Sequence, residues 1–295
     1  MRDALKTPVL LLVFARPGAT GLVFEAIRKA RPGKLYIAAD GPVAGDPDNA
    51  GKCARVRECV AQVDWDCSVR TLFRENNLGC KVAVSEALHW FFSQEDEGII
   101  LEDDCLPGQS FFSFCESMLE KYRDDRRVMH ISGTNLQFGK KRGDASYYFS
   151  SIPSVWGWAG WKRSWEQYDI SMSLYPAFKA SGLIKSILPD DRVAAHVMHV
   201  LQMNYEGKIS TWDHQYGFSL VINNGLCIVP NVNLISNLGY SKTDDPMAAD
   251  NYLLSKIPLQ EMTFPLTHAD FFVPDKEADL LQAQLDVFDT KTRVI

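Results

Sequence analysis

The first hundred residues alternate between short apolar runs and amphipathic stretches, and this alternation admits few folds. Residues 8–14 form an unbroken apolar run, interrupted by Ala15-Arg16-Pro17-Gly18 before Thr20 caps a helix carrying Leu22, Val23, Ala26 and Ile27. Lys34–Ala39 reads as a second strand that ends in the turn signal Asp40-Gly41-Pro42, and a helix is expected over residues 48–63. Ser68–Phe73 is a third strand, followed by the polar loop 74–81 and a helix with Val82, Val84, Ala87, Leu88 and Phe91. A fourth strand, residues 99–101, completes the series. Runs that are apolar throughout belong to strands covered on both faces. Strands separated by helix-length connections predict an α/β fold with a mostly parallel central sheet, right-handed crossovers and flanking helices.

In such sheets ligands bind beyond the carboxyl ends of the strands, so the residues found there carry the functional reading. Arg16 follows the first strand, where a guanidinium meets either a pyrophosphate or plain solvent. Asp40 follows the second, as an acceptor for a base or ribose or as a turn-former. After the third strand come Asn77, Gly79 and Lys81; glycine lets backbone approach a ligand, and Arg74 and Lys81 offset phosphate charge. The fourth strand ends in Glu102-Asp103-Asp104, which reads either as a solvated acidic turn or as oxygen ligands for a hard divalent cation.

Beyond the acids, Pro107 is expected to open a helix with Phe111, Phe112, Phe114, Met118 and Leu119 on its buried face. Short strands are expected at residues 128–131 and 147–149. The segment from Trp156 to Trp165 places Trp161 and Trp165 four apart on a helix face, while Trp156 and Trp158, among glycines, suit either a sugar ring or a core. Helices follow at residues 183–187 and 191–202, where His196 and His199 share a face without the third ligand that a zinc motif needs. Asp213, between Trp212 and His214, is either a helix N-cap or a sheltered general base. Residues 241–250 read as a polar loop, His268 as structural, and the tail from Asp275 as a helix. With no internal repeat or linker, the chain is expected to be one domain.

Composition removes several functions. A net charge of -6 without a dense basic block argues against nucleic acid as a partner. Seven cysteines without a C-x-x-C pair read as reduced thiols of a cytoplasmic protein. The apolar run at residues 9–14 is far shorter than a membrane span, which leaves at most peripheral membrane contact. The first strand is not followed by G-x-G-x-x-G, nor does the chain hold a Walker A motif, so dehydrogenase and P-loop readings fall away.

Taken in order, Phe14-Ala15-Arg16, the Asp40-Gly41 turn, residues 76–81 and Glu102-Asp103-Asp104 resemble the GT-A glycosyltransferases, in particular bacterial nucleotide-diphospho-sugar transferases. Over about residues 8–240, the acidic triplet with Pro107 and its phenylalanines, Gly157-Trp158 and Trp212-Asp213 are similar to the inverting N-acetylglucosaminyltransferase I family. The resemblance implies a Rossmann-like GT-A domain with a nucleotide-sugar half at about 8–135 and an acceptor half with a C-terminal helix at about 136–295. It implies metal-dependent transfer of a hexosyl or N-acetylhexosaminyl group, with inversion, from a nucleotide-sugar (UDP-sugar first, GDP-sugar second) to a glycan or glycoconjugate hydroxyl. By the same resemblance Asp104 is the ligand of Mn²⁺ or Mg²⁺, and Glu102 and Asp103 contact ribose or metal-bound water. Ala15, Arg16, Asp40, Asn77, Gly79, Lys81 and Trp158 lie along the donor, and Asp213 deprotonates the acceptor. His214 departs from the family, which has another acid there. Two alternatives stay open: a sugar-1-phosphate nucleotidyltransferase, for which Arg16-Pro17-Gly18 is a poor phosphate loop, and a non-catalytic nucleotide- or glycan-binding module.

Overall fold

The computed structural model describes residues 4–240, 254 and 257–290 of the 295-residue chain. In chain order the first elements are β1 (Val9–Val13), α1 (Pro17–Ala30), β2 (Lys34–Ala39), α2 (Pro47–Val60), β3 (Ser68–Phe73), α3 (Gly79–Phe92) and β4 (Glu97–Glu102). There follow β5 (Cys105–Pro107), α4 (Gln109–Lys121), β6 (Val128–Ser132), β7 (Tyr147–Ser150), β8 (Trp158–Trp161) and the single turn α5 (Lys162–Trp165). The rest comprises α6 (Tyr175–Ser181), α7 (Ile184–Ile187), α8 (Asp191–Tyr205), α9 (Asp213–Ile222), β9 (Leu226–Pro230), β10 (Ile235–Asn237) and α10 (Lys276–Thr290).

Eight strands form one sheet in the order β3-β2-β1-β4-β8-β6-β9-β7, in which β8 and β7 run against the others. The expected α/β fold with a large, mostly parallel, helix-flanked sheet is therefore the fold observed. β1 lies at its middle, parallel to β2 and β4, with Leu12 opposite Ala38 and Glu102. Every residue of β1 is buried because both faces are covered. Val9, Leu11 and Val13 pack with Ile99 and Leu101 under α1, α2 and α4, through Val23, Ile27, Val56 and Phe111. Leu10 and Leu12 pack with Ile100 on the other face, against Leu88 and Phe91 of α3 and against Trp165, Trp212 and Tyr216.

Local chemistry sets the helix starts. Pro17 stands at the first turn of α1, where a missing N–H costs nothing, and Asp46 caps α2 by accepting from Asn49 N at 3.0 Å. Asp190 caps α8 through the amides of Arg192 and Val193. α4 borrows its cap from a distant acid, since Glu261 accepts from Gln109 N and Ser110 N.

The second half departs from expectation in several elements. Pro107 does not open a helix; it ends β5, which pairs antiparallel with β10, and α4 begins two residues later. Trp161 belongs to β8 and not to a helix face shared with Trp165. Asp213 is the first helical residue of α9, Trp212 taking the N-cap position. β9, wholly buried between β6 and β7, had no counterpart in the sequence reading. The polar segment 241–250 lies outside the described residues. All seven cysteines are free thiols. Among the described residues no helix is long and apolar enough to cross a membrane.

Candidate functional site

The carboxyl ends of β1 and β4 lie side by side, which brings Phe14 and Arg16 onto the acidic triplet. Asp103 is buried and accepts the Phe14 amide at 3.0 Å. The Arg16 guanidinium spans two carboxylates through one nitrogen, with Nη1 3.1 Å from Asp103 Oδ1 and 2.7 Å from Asp104 Oδ2. Partial desolvation works against the charge on Arg16, but Asp103 and Asp104 outweigh it and hold the pKa above its ordinary value. Burial, and then the Asp104 charge, pushes Asp103 up to about 6 despite the guanidinium and the Phe14 amide.

Alternation along β4 turns Glu102 to the same face as Ile100, the side of α3 and α9. There it stands in a crowded, acidic place. Burial raises its pKa well above the ordinary range, and Asp104, Asp103 and Asp213 add to the effect. Asp213, 109 to 111 positions along the chain from the triplet, is thus in the electrostatic reach of Glu102. Its Oδ1 accepts from the Thr211 hydroxyl and from His214 N at 3.0 Å, and no described residue hydrogen-bonds to Oδ2.

Cys80, in the first turn of α3, is open to water and yet interacts with Glu102, Asp213, Arg16 and Asp40 together. Burial on its walled side, reinforced by Glu102 and Asp213, pushes the thiol up to about 12, so it stays protonated near neutrality. Cys80 therefore sits where these carboxylates come together at the protein surface. Nothing in the sequence singles out Cys80; only the fold places it there.

Asp40 holds the neighbouring loops together. Its Oδ1 accepts from Gly41 N and Leu78 N, and its Oδ2 from Gly79 N at 3.0 Å, which locks the end of β2 to the start of α3. The Asn77 carboxamide donates to Gly41 O at 2.9 Å and ties the same two loops. The backbones meet so closely that a Cβ on Gly41 would lie 2.3 Å from the Asn76 carbonyl carbon. Expected at the nucleotide, Asp40 and Asn77 spend these hydrogen bonds on joining the loop after β2 to the start of α3. Gly79 has the left-handed φ of +77°, which glycine adopts without strain, and Lys81 is half-buried in the first turn of α3. Ala15, half-buried, links β1 to Arg16. Arg74, expected to offset phosphate charge, pairs instead with Glu86 at 3.1 Å.

Trp158 is a correction. Expected to face a sugar, it is 1% exposed and packed against His130, Trp212 and Tyr216, because β8 lies between β4 and β6 in mid-sheet. The β10 end contributes what the sequence reading missed. Asp104 O accepts from Leu238 N at 2.7 Å, and Gly239 is so close to the Asp104 carboxylate that a Cβ would lie 2.7 Å from Oδ2.

The carboxylates do not form a ready-made metal cage. Among the described residues no three histidine, cysteine, aspartate or glutamate side chains are grouped to hold an ion. His196 and His199 belong to no such group among the described residues, and His268 bonds to the Tyr147 hydroxyl at 3.2 Å.

No protein-family model matches the chain, and no curated protein does. Among solved structures it is similar to the crystal structure of a 4-diphosphocytidyl-2C-methyl-D-erythritol synthase from Anaerococcus prevotii, at 11% identity and a TM-score of 0.34. That match covers 55% of this chain and 76% of the other. It is also similar to a UDP-glucose pyrophosphorylase complexed with UDP-glucose, at 9% identity and a TM-score of 0.36, over 76% of this chain and 90% of the other.

Proposed function

We propose that the protein is an enzyme that binds a nucleotide-diphospho-sugar at the carboxyl edge of β1 and β4 and transfers the sugar, with inversion, to a glycan or glycoconjugate hydroxyl. One juxtaposition carries this reading. The Arg16–Asp103–Asp104 cluster and Asp213, which come from opposite halves of the chain, both lie within electrostatic reach of Glu102 and of the exposed Cys80. The Arg16 guanidinium suits a diphosphate, and a separate carboxylate suits a general base for the acceptor.

The donor set consists of carboxylate oxygens, the chemistry of Mn²⁺ or Mg²⁺. Asp103 is tied to the Phe14 amide through Oδ2 and to Arg16 through Oδ1, whereas Asp104 meets Arg16 through Oδ2 alone and only a weak thiol contact through Oδ1, so Asp104 is the carboxylate better placed to exchange a partner for an ion. Ions of this kind take one or two carboxylates and complete their sphere with substrate phosphates, so these residues fit an ion shared with the nucleotide, with Asp104 as its protein ligand. When bound, it supplies Lewis-acid stabilisation of the leaving phosphate. Asp213 does the rest from the protein side. Thr211 and the His214 amide fix Oδ1, and Oδ2 receives the acceptor's proton as the hydroxyl attacks the anomeric carbon. Arg16 offsets the negative charge that gathers on the phosphates.

A sugar-1-phosphate nucleotidyltransferase is the second reading, since the Arg16 cluster would meet the phosphates of any nucleotide equally well. Against it stands the short step from β1 to α1, residues 14–16, which leaves no loop to wrap a triphosphate. The products separate the two, a nucleoside diphosphate in the first case and pyrophosphate in the second. Binding is tested by thermal shift with UDP-, GDP-, CMP- and TDP-sugars, each with and without Mn²⁺. A sugar nucleotide is expected to raise the midpoint in the presence of Mn²⁺ by mass action. A flat response to every nucleotide in both conditions would overturn the reading.

A further inference from the structure

The guanidinium of Arg16 takes up the oxygen through which Asp104 would hold a cation, at 2.7 Å from Oδ2. We propose that Arg16 is an internal counter-ion: it closes Asp104 to divalent cations in the nucleotide-free protein and releases it when phosphates draw the guanidinium away. The release half of this rests on the nucleotide-binding function proposed above; the closure half does not.

The two carboxylates under Arg16 are held differently. Asp103 has a side chain only 7% exposed and a fixed bond to the Phe14 amide, so it keeps its place whatever Arg16 does. Among the described residues Asp104 has Arg16 as its one salt-bridge partner; the Cys105 thiol at 3.5 Å adds a weak contact. The arginine is built to move without the helix behind it. Its carbonyl accepts from both the amide and the hydroxyl of Thr20, at 2.9 and 2.7 Å, which pins the backbone, while its side chain is 47% exposed. A long side chain on a fixed root can change partners by rotamer alone.

Charge supplies the reason for the contact. Three consecutive carboxylates around one guanidinium leave the cluster net negative. Without Arg16 a divalent cation would be the natural remedy, and the guanidinium and the cation cannot share Asp104 Oδ2. Binding of one therefore weakens binding of the other by linkage. A planar guanidinium also matches phosphate oxygens, so a diphosphate offers Arg16 an alternative partner of equal charge type.

The test is a manganese titration of the full-length chain without nucleotide, with free Mn²⁺ read by electron paramagnetic resonance. Arg16→Gln is expected to bind Mn²⁺ at least about tenfold more tightly than wild type, Arg16→Lys to fall between, and Asp104→Asn added to Arg16→Gln to abolish the gain. Equal or weaker binding by Arg16→Gln, with its melting midpoint intact, would overturn the proposal. Should that variant be unfolded, Arg16→Lys decides by the same comparison. Adding UDP is expected to tighten Mn²⁺ binding more in wild type than in Arg16→Gln, and an equal gain in both would remove the release step. A chain that ignored UDP would defeat the proposed function and the release step, yet leave the manganese comparison standing.

Discussion

Gly239 shows how tightly the acidic end of β4 is enclosed. A methyl group there would lie 2.7 Å from Asp104 Oδ2 and 3.1 Å from Asn237 Oδ1, inside contact distance of both. The Asp104 carboxylate cannot retreat freely because Arg16 holds the same oxygen. Gly239→Ala should therefore weaken nucleotide-sugar binding by roughly tenfold while leaving the core intact, as a displacement of one ligand costs about 1–2 kcal/mol. Titration calorimetry with the nucleotide identified by thermal shift, beside a melting curve, checks it; unchanged affinity would mean that Asp104 is not at the donor. At this scale the sequence is legible only where a residue's place follows from its strand. Arg16 and the triplet could be read because they directly follow apolar runs. Gly239, Asn237 and Cys80 could not, since their roles come from the β5–β10 pairing and the α3 packing. Trp158 misled because glycine neighbours suggested an exposed ring, whereas they accommodate a wide indole in mid-sheet: a Cβ on Gly160 would lie 3.1 Å from the Trp158 ring.

α3 is the element whose start is fixed from another strand. Its N-cap residue, Leu78, has no capping side chain, and Asp40, arriving from β2, satisfies the amides of Leu78 and Gly79 in its stead. Asp40→Ala should leave those amides unpaired and lower stability by about 1–3 kcal/mol, read as a drop in the urea midpoint at unchanged m-value. Asp40→Asn, which keeps one acceptor oxygen, should recover part of the loss; an Ala variant as stable as wild type would show that Asp40 is not a latch. The first four strands were legible as short runs, apolar in β1, β2 and β4 and mixed in the exposed edge strand β3, set between stretches of 3.6-residue periodicity. In the second half β6, β7, α7, α8 and α10 stand where the sequence predicts them, but β5, β8 and β9 were not legible. β8 and β9 are four and five residues long and wholly buried, so they lack an alternating face that would separate strand from helix or loop. β5, at three residues, exists only through its pairing with β10.

Across the whole molecule, the two halves are joined by an aromatic layer centred on Trp158, with His130 stacked on it at 5.3 Å and Tyr216 at 5.2 Å. His130 is wholly buried, bonded through Nε2 to Ser154 O at 2.9 Å, and burial lowers its pKa from 6.5 to about 4. Between those values the unfolded chain binds a proton that the native chain refuses. The stability tied to neutral His130 is therefore complete above pH 6.5 and is lost as pH falls toward 4, by up to ~3 kcal/mol. Asp103, raised to about 6, contributes with the opposite sign in part of this window, so the comparison must be between variants. Urea denaturation at pH 7.5 and 4.5 should show a smaller acid loss for His130→Gln than for wild type; identical losses would contradict the assignment. The same aromatic packing carries α9, and with it Asp213, into the electrostatic reach of Glu102, and the measurement that tests the proposed role of Asp213 most directly is sugar transfer by Asp213→Asn, followed as release of nucleoside diphosphate in the presence of acceptor. The account predicts that this variant binds the sugar nucleotide as wild type does and transfers at least about a hundredfold more slowly. Transfer at the wild-type rate would contradict it.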